Sequence, residues 1–405
     1  MNSIVKLDNY DLFVRPNGVY RASEVEASNY LYPMYAYREG QGYCTSTSVY
    51  QLIAEKGVFI RNPKFQTTTY YRPTYLTIDQ DIFRVRTQHR RSVRTLTDGN
   101  EIVELGAQLI QSYVTEIETK FPQATHILLM GGKDSQNILL ADRKSPWVVV
   151  SGDPNASLNK DFVENNFLEL ADFIACSDSP DNRYLADEIA ASDCFYDLSE
   201  MRYLALLKDL VSRFDNNVVV WLGTSGDGIF SENSNHRDQD YFAVHELHVG
   251  MAMGIYHQTI KNMLGVPAVS PYQSPQMLDE LFFKFDPFFI NVYGDVRSQI
   301  GELLLGRRVW YPKSNPGPNS WRRNRKLSIS AYIDMLRKSE IPINSRPIKS
   351  ALTQGIERVQ WLINIHSTKR RTRCSRFLYP VRKYLSKIAP KLKSQRHNIQ
   401  SREIT

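Results

Sequence analysis

Cysteine is scarce in this sequence. Cys44, Cys176, Cys194 and Cys374 are the only four among 405 residues, and no two of them form a C-x-x-C pair. That spacing excludes the usual thiolate zinc sites and gives no disulfide framework, so free thiols in a reducing cytoplasm are expected. No apolar run reaches the about 18 residues of a membrane span. The first twenty residues are interrupted by Lys6, Asp8, Asp11 and Arg15, which excludes a secretory signal peptide. The Walker phosphate loop, G-x-x-x-x-G-K-[ST], is also missing. Acidic residues are absent from Arg358 to Arg402, where thirteen Lys and Arg occur, so the net charge of +7 resides in the tail and the rest of the chain is mildly acidic.

What is present is an ordinary globular composition, 42% hydrophobic and 23% charged, in a chain long enough for two domains. Up to about residue 98, short aromatic and β-branched runs at 10–20, 31–37, 43–50, 58–60 and 70–85 alternate with turns and predict an antiparallel β-rich domain. Residues 101–121 carry Ile102, Leu105, Leu109, Ile110, Tyr113, Val114 and Ile117 on one helical stripe. Apolar runs at Trp147–Gly152, Phe173–Cys176 and Asn217–Leu222 alternate with helical patterns at about 160–171, 181–191 and 199–214. This predicts an α/β domain with a parallel sheet over 99–330. Residues 241–304 read as mostly helical, and His245, His248 and His257 within them show no metal spacing. Residues 331–405 form a basic extension.

Two stretches carry chemistry. The first, His126 to Leu140, is an apolar strand broken by Met130-Gly131-Gly132-Lys133-Asp134-Ser135 and resumed at helical spacing. Glycines let the backbone approach an anion, the helix start offers N–H groups and a positive dipole end, and Ser135 adds a hydroxyl. Asp134 beside a polyphosphate implies a divalent cation between them, hence magnesium. The second stretch, Asn217 to Gly228, is again a strand running into a glycine turn, Gly223-Thr224-Ser225-Gly226-Asp227-Gly228. Ser151 and Gly152, ending the strand between them, could face the same ligand, because open parallel sheets bind ligands beyond the carboxyl ends of their strands.

The first loop resembles the S-G-G-x-D-S pyrophosphate loop of the ATP pyrophosphatases, with Met130 in the place of the first Ser. Ser225-Gly226-Asp227-Gly228 resembles the motif that follows this loop in the asparagine synthetases, and Gly317 with Ser320-Trp321 resembles that family's Gly-x-x-Ser-Trp. The resemblance implies a parallel-sheet ATP-pyrophosphatase domain behind a degenerate glutaminase-type β domain. In the latter, Leu31 to Tyr37 and Cys44 to Ile53 match in order, but Asn2 stands where the nucleophilic cysteine would be. It implies ATP bound by Met130, Gly131, Gly132, Lys133, Asp134, Ser135, Ser151, Gly152, Ser225 and Gly226, and Mg2+ held by Asp134, Asp227 and Glu232. Lys313 and Asp227 take catalytic roles, with Lys133, Arg307 and Arg308 as further cations. Phe230 and Ser231 stand where the family places carboxylates, and by strict counting its lysine falls on Trp310 rather than Lys313.

The activity so implied is ATP-dependent amide formation in the cytoplasm. A small-molecule or peptide carboxylate is adenylated with release of pyrophosphate, and ammonia or an amine displaces AMP. Two alternatives stay open: a pyrophosphate-loop enzyme acting on RNA, and a catalytically reduced nucleotide-binding scaffold. The basic tail could meet an acidic partner, nucleic acid or an anionic membrane surface.

Overall fold

The computed structural model describes residues 19–22, 35–48, 64–67, 73–77, 82–84, 98–176, 203–224, 226–230, 254–282 and 295–312, with single positions at 52, 55, 96, 183, 184, 187, 191 and 284. The chain divides into two compact units, Met1–Ile356 and Glu357–Thr405. Every described residue lies in the first.

Six strands form an antiparallel sheet: β1 (Tyr20–Ala22), β2 (Tyr35–Glu39), β3 (Gly42–Ser46), β4 (Lys64–Thr67), β5 (Pro73–Thr77) and β6 (Ile82–Arg84), in the order β1-β3-β2-β6-β5-β4. β2 and β3 are joined by Gly40 and Gln41 alone, and Gly40 has φ 61°, the positive value that a two-residue hairpin turn requires. Tyr35, Ala36, Tyr37 and Cys44 are buried. Cys44 donates to Glu39 Oε2 at 3.2 Å, and burial pushes its thiol pKa up, the reverse of what a nucleophile needs. β4 lies between the expected runs at 58–60 and 70–85, where no strand is expected from the sequence, while the runs at 10–18 and 58–60 lie outside the described residues.

The second sheet is parallel and five-stranded: β7 (Thr125–Leu129), β8 (Trp147–Gly152), β9 (Leu170–Cys176), β10 (Val218–Leu222) and β11 (Ala268–Val269), in the order β11-β10-β7-β8-β9. β8 and β10 are buried along their whole length and mostly apolar, as strands covered on both faces are. Among the described residues seven α-helices accompany the sheet: α1 (Gly99–Lys120), α2 (Lys133–Leu140), α3 (Ala156–Asn165), α4 (Leu204–Arg213), α5 (Gly226–Phe230), α6 (Gly254–Leu264) and α7 (Val296–Leu305). The expected helix at 160–171 is displaced. α3 starts directly after the Asp153-Pro154-Asn155 turn, and Phe167 takes φ 53° at its end, so 170–171 already belong to β9.

α1 begins at its cap Asp98, whose side chain accepts from the Asn100 N–H at 2.9 Å. Ile102, Ile110, Val114 and Ile117 bury completely in one core with Leu128, Trp147, Val149, Val219 and Trp221 of the sheet and with Leu139, Phe162 and Ile300 of α2, α3 and α7. At roughly 1.5–3 kcal/mol for each large apolar side chain removed from water, this face is the main stabilising element of the sheet. Ile127, Val148, Val150, Val218 and Val220, alternating with the strand residues of this face, are buried as well, and right-handed connections to β10 and β11 would carry α4 and α6 to their face.

The strand order fixes where a ligand belongs. From β7 the chain moves outward through β8 to β9, then returns to the other side of β7 to form β10 and β11. The winding therefore reverses between β7 and β10, and the crevice beyond their carboxyl ends is where open sheets of this kind bind ligands. No helix among the described residues is long and apolar enough to cross a membrane.

Candidate functional site

Both glycine turns sit at this crevice. β7 and β10 are paired in parallel with Leu129 opposite Leu222, so Met130–Ser135 and Gly223–Gly226 leave adjacent strands at the same level. They interlock without room for side chains. A Cβ on Gly223 would fall 2.5 Å from the Ser135 nitrogen, and one on Gly226 would fall 2.4 Å from Asp134 Cγ. Glycine at these two positions is therefore a requirement of close approach between the second turn and the first turn of α2.

The loop after β7 is tied at each residue. Ser135 Oγ accepts the N–H groups of Gly131 (3.0 Å) and Gly132 (3.2 Å) and donates to Gly132 O (2.8 Å). The hydroxyl expected to reach outward instead folds back and holds the loop amides. Met130 is buried, and its carbonyl accepts from Asn159 Nδ2 at 2.9 Å. Asn159 Nδ2 also donates to Ser151 Oγ (2.8 Å), and Asn159 Oδ1 accepts from Gln136 Nε2 (2.9 Å). Ser151 is fully buried in this network, so the structure places it as a support of the loop. Gly152, also buried, leads into Asn155, whose Nδ2 donates to Gly131 O at 3.0 Å.

The two charged residues of the loop are paired with the start of α7. Lys133 Nζ forms an ion pair with Asp295 and donates to Ser298 Oγ at 3.0 Å. It also lies 4.9 Å from the centre of the Tyr311 ring. Arg297 donates through Nη1 to Asp134 Oδ1 (3.2 Å) and Oδ2 (3.5 Å). The Asp134 side chain is 12% exposed and that of Arg297 26%, so the pair lies just beneath the surface. Asp295 caps α7 by accepting from the Ser298 N–H. Burial pushes its carboxyl pKa up, but hydrogen bonds from Lys133 and Ser298 outweigh this and hold it below the ordinary carboxylate range. Tyr272 Oη donates to Asp134 O at 2.8 Å, fixing the backbone beneath.

The second turn is held from below. His257 is fully buried; its Nδ1 faces Ala268 O at 3.0 Å and its Nε2 faces Thr224 Oγ1 at 2.8 Å. With a carbonyl at Nδ1 that nitrogen carries the proton, so Nε2 accepts from Thr224. Burial pushes the imidazole pKa down to about 4, and the ring is neutral at neutral pH. Ser270 Oγ donates to Thr224 O at 3.0 Å.

Of the sequence-predicted residues, the structure thus brings together Met130, Gly131, Gly132, Lys133, Asp134, Ser135, Ser151, Gly152 and Gly226. Asp227 lies in α5, one residue beyond Gly226, with its side chain outside the described residues, as are Ser225, Glu232 and Lys313. Tyr311, two residues before Lys313, reaches the loop: its hydroxyl donates to Asn137 Oδ1 at 2.6 Å, and burial pushes its pKa up. Arg307 lies away from the loop, donating to Asn166 O and stacking 5.8 Å from the Phe167 ring. Arg308 is exposed beside it, in a shallow groove of about 550 Å³ with Glu302, Leu303 and Gly306.

Sequence reasoning missed Arg297, Asp295, Asn155, Asn159 and Tyr272. A signal existed for Asp295 alone, a capping residue three positions ahead of Ser298; the others are single polar residues made relevant only by packing.

The described residues of this set do not by themselves make a magnesium site, and the Asp227 side chain and Glu232 lie outside them. Among the described residues no three His, Cys, Asp or Glu gather to hold a metal ion. Asp134 is already paired with a guanidinium, and Phe230, where a carboxylate was sought, is a core side chain 6.2 Å from the Tyr272 ring and 3% exposed. Two cations sharing one carboxylate stand on the order of 5 Å apart, where charges of +2 and +1 repel by roughly 6 kcal/mol at an effective dielectric of about 20. Compared with family models and with curated proteins, the chain matches none.

Proposed function

We propose that this protein is a nucleotide-dependent ligase that adenylates a carboxylate. The observation that carries the reading is the convergence of two glycine turns at the winding reversal of a doubly wound parallel sheet, with Gly226 packed on Asp134. ATP would lay its β- and γ-phosphates against Gly131–Ser135 at the start of α2. A substrate carboxylate oxygen would then attack the α-phosphorus. The bond to the bridging oxygen breaks, pyrophosphate leaves, and ammonia or an amine displaces AMP from the acyl-adenylate to give the amide. Lys133 is the described cation for the leaving pyrophosphate, with Lys313 as its counterpart from the segment that follows Tyr311. Gly131 and Gly132 can turn their N–H groups to phosphate only if Ser135 Oγ releases them. A rotation of the Ser135 side chain would supply both amides and the hydroxyl at once.

The charge at the crevice also supports a second reading, a nucleotide-binding scaffold without turnover, because the Asp134–Arg297 pair occupies the carboxylate that a metal would need. Two measurements separate them: calorimetric titration with ATP, and AMP and pyrophosphate release from ATP across a panel of carboxylic acids with and without ammonium, for the wild type and Asp134→Ala. Acid-dependent AMP lost in the variant is the expected result. Nucleotide binding with no turnover on any acid selects the scaffold, and absence of both binding and turnover overturns the nucleotide reading itself.

A further inference from the structure

We infer that Arg297 is the built-in cation of this site and that the loop takes its polyphosphate without a divalent metal. The inference rests on the nucleotide reading above and deepens it. Three observations point the same way. Arg297 binds both oxygens of Asp134 from the first turn of α7, so the carboxylate that would otherwise repel a phosphate is already neutralised. Lys133, the other charge of the loop, is held to Asp295 in the same turn of α7, which places a lysine and an arginine side by side at one crevice. One of the two positions where the resemblance implies further carboxylates is filled by Phe230, a residue packed into the core against Tyr272 and α1, where its Cζ lies 3.3 Å from a Cβ built on Gly106. Among the described residues the crevice thus meets its loop carboxylate with a guanidinium and has a core phenylalanine at one place where the resemblance implies a carboxylate, the arrangement of a site that supplies its own cation.

The chemistry of the guanidinium supports the exchange. Its planar fork matches two oxygens at a time, of a carboxylate or of a phosphate, and it stays charged at every working pH. With 26% of its side chain exposed, Arg297 borders the solvent from which a ligand arrives, while Asp134 lies beneath it. The aspartate therefore acts as a positioning residue: it orients the guanidinium at the crevice mouth, and Gly226 beneath keeps the aspartate in place.

The test is calorimetric titration of the full chain with inorganic pyrophosphate and with ATP, once in EDTA and once in millimolar Mg2+. The wild type should bind in EDTA, and added Mg2+ should change its affinity by less than about threefold. Arg297→Gln should bind at least about tenfold more weakly in EDTA and regain affinity when Mg2+ is supplied, because the guanidinium no longer competes with the metal for Asp134. Arg297→Lys, which keeps the charge but not the fork, should fall between them, and thermal melts without ligand establish that each variant is folded. Wild-type binding that appears only with Mg2+, or an Arg297→Gln variant as strong as wild type in EDTA, overturns the inference while leaving the nucleotide reading intact. If neither probe binds under any condition, the nucleotide reading fails and the inference with it.

Discussion

The two ends of the parallel sheet solve opposite problems. Toward the amino-terminal end the rings of His126 and Trp147 stack at 5.3 Å, and Trp221, whose backbone lies opposite Leu128 near the carboxyl end of β10, packs its ring against both at 4.5–5.8 Å. Trp221 Nε1–H donates to His126 Nδ1 at 2.9 Å, and Trp147 Nε1–H donates to the buried Glu118 at 2.9 Å. The second Glu118 oxygen accepts from the Lys144 N–H at 2.9 Å. Burial lowers the pKa of His126 and keeps the ring neutral. At the carboxyl-terminal end, by contrast, two ion pairs cross between α2 and α7, one of them little exposed. A buried ion pair is a poor source of stability, because desolvation consumes most of the Coulombic gain. A chain selected for stability alone has the means to fill such a place with apolar side chains, as the other end shows, so charge kept at the crevice is charge kept for use.

The largest effect that should break this contrast is at the aromatic end. Trp147→Ala removes a fully buried side chain and leaves Glu118 short of a donor, so stability should fall by about 3–5 kcal/mol in urea titration. The crevice lies at the far end of the strands, so pyrophosphate binding by the folded fraction should be unchanged. Loss of binding in proportion beyond the unfolded fraction would show that the two ends are not separable. Gly226→Ala attacks the other end. Its Cβ would lie 2.7 Å from Asp134 Oδ1, and relief by moving the side chain should cost roughly 1–3 kcal/mol while displacing the carboxylate from Arg297. Binding should fall more than stability does, the reverse of Trp147→Ala.

Acid sharpens the comparison because a buried histidine serves each end. For His257 the folded pKa, about 4, lies below the ordinary 6.5. The folded state therefore binds fewer protons than the unfolded state between these values. Stability is complete above pH 6.5 and is lost as pH falls toward 4, by roughly 3 kcal/mol if the full difference is expressed. His257→Gln, although less stable at neutral pH, should show a shallower decline over this window in thermal melts. An unchanged slope would mean that the ring is not the group responsible.

The parallel sheet and the loop were legible because they are encoded locally. Continuous apolar runs such as Trp147–Val150 and Val218–Leu222 can only be doubly covered strands, and a strand breaking on Gly131-Gly132 before a helical pattern has few other forms. The partners of the loop were not legible. Arg297 lies 163 residues from Asp134 in sequence, on a helix whose polar residues look like any solvated face. Ser151 read as a ligand for the opposite reason: its position at a strand end is visible in the sequence, but the Asn159 amide that occupies it is not. The displaced boundary of α3 has a physical origin as well, since the helix stops at a residue, Phe167, that carries no helix-ending chemistry of its own.

That residue provides the smallest effect and the finest distinction between the ends. Phe167 adopts φ 53° just past the end of α3, with the Leu168 N–H bonded to Val163 O, an arrangement that ordinarily uses glycine. It is 84% exposed, so its ring contributes little burial, and the Arg307 guanidinium lies 5.8 Å from the ring centre. Left-handed backbone costs a residue with a Cβ about 1–2 kcal/mol, against about 0.5–1 kcal/mol for an exposed cation–π contact. Phe167→Gly should therefore stabilise the protein, by about 0.5–1 kcal/mol in urea titration. Phe167 lies three residues ahead of Leu170, which pairs with Trp147 at the aromatic end, so the gain should leave pyrophosphate binding unaltered. A variant that gained stability but bound the anion differently would show that the surface around Arg307 communicates with the crevice along α7, and the division of labour between the two ends would have to be redrawn.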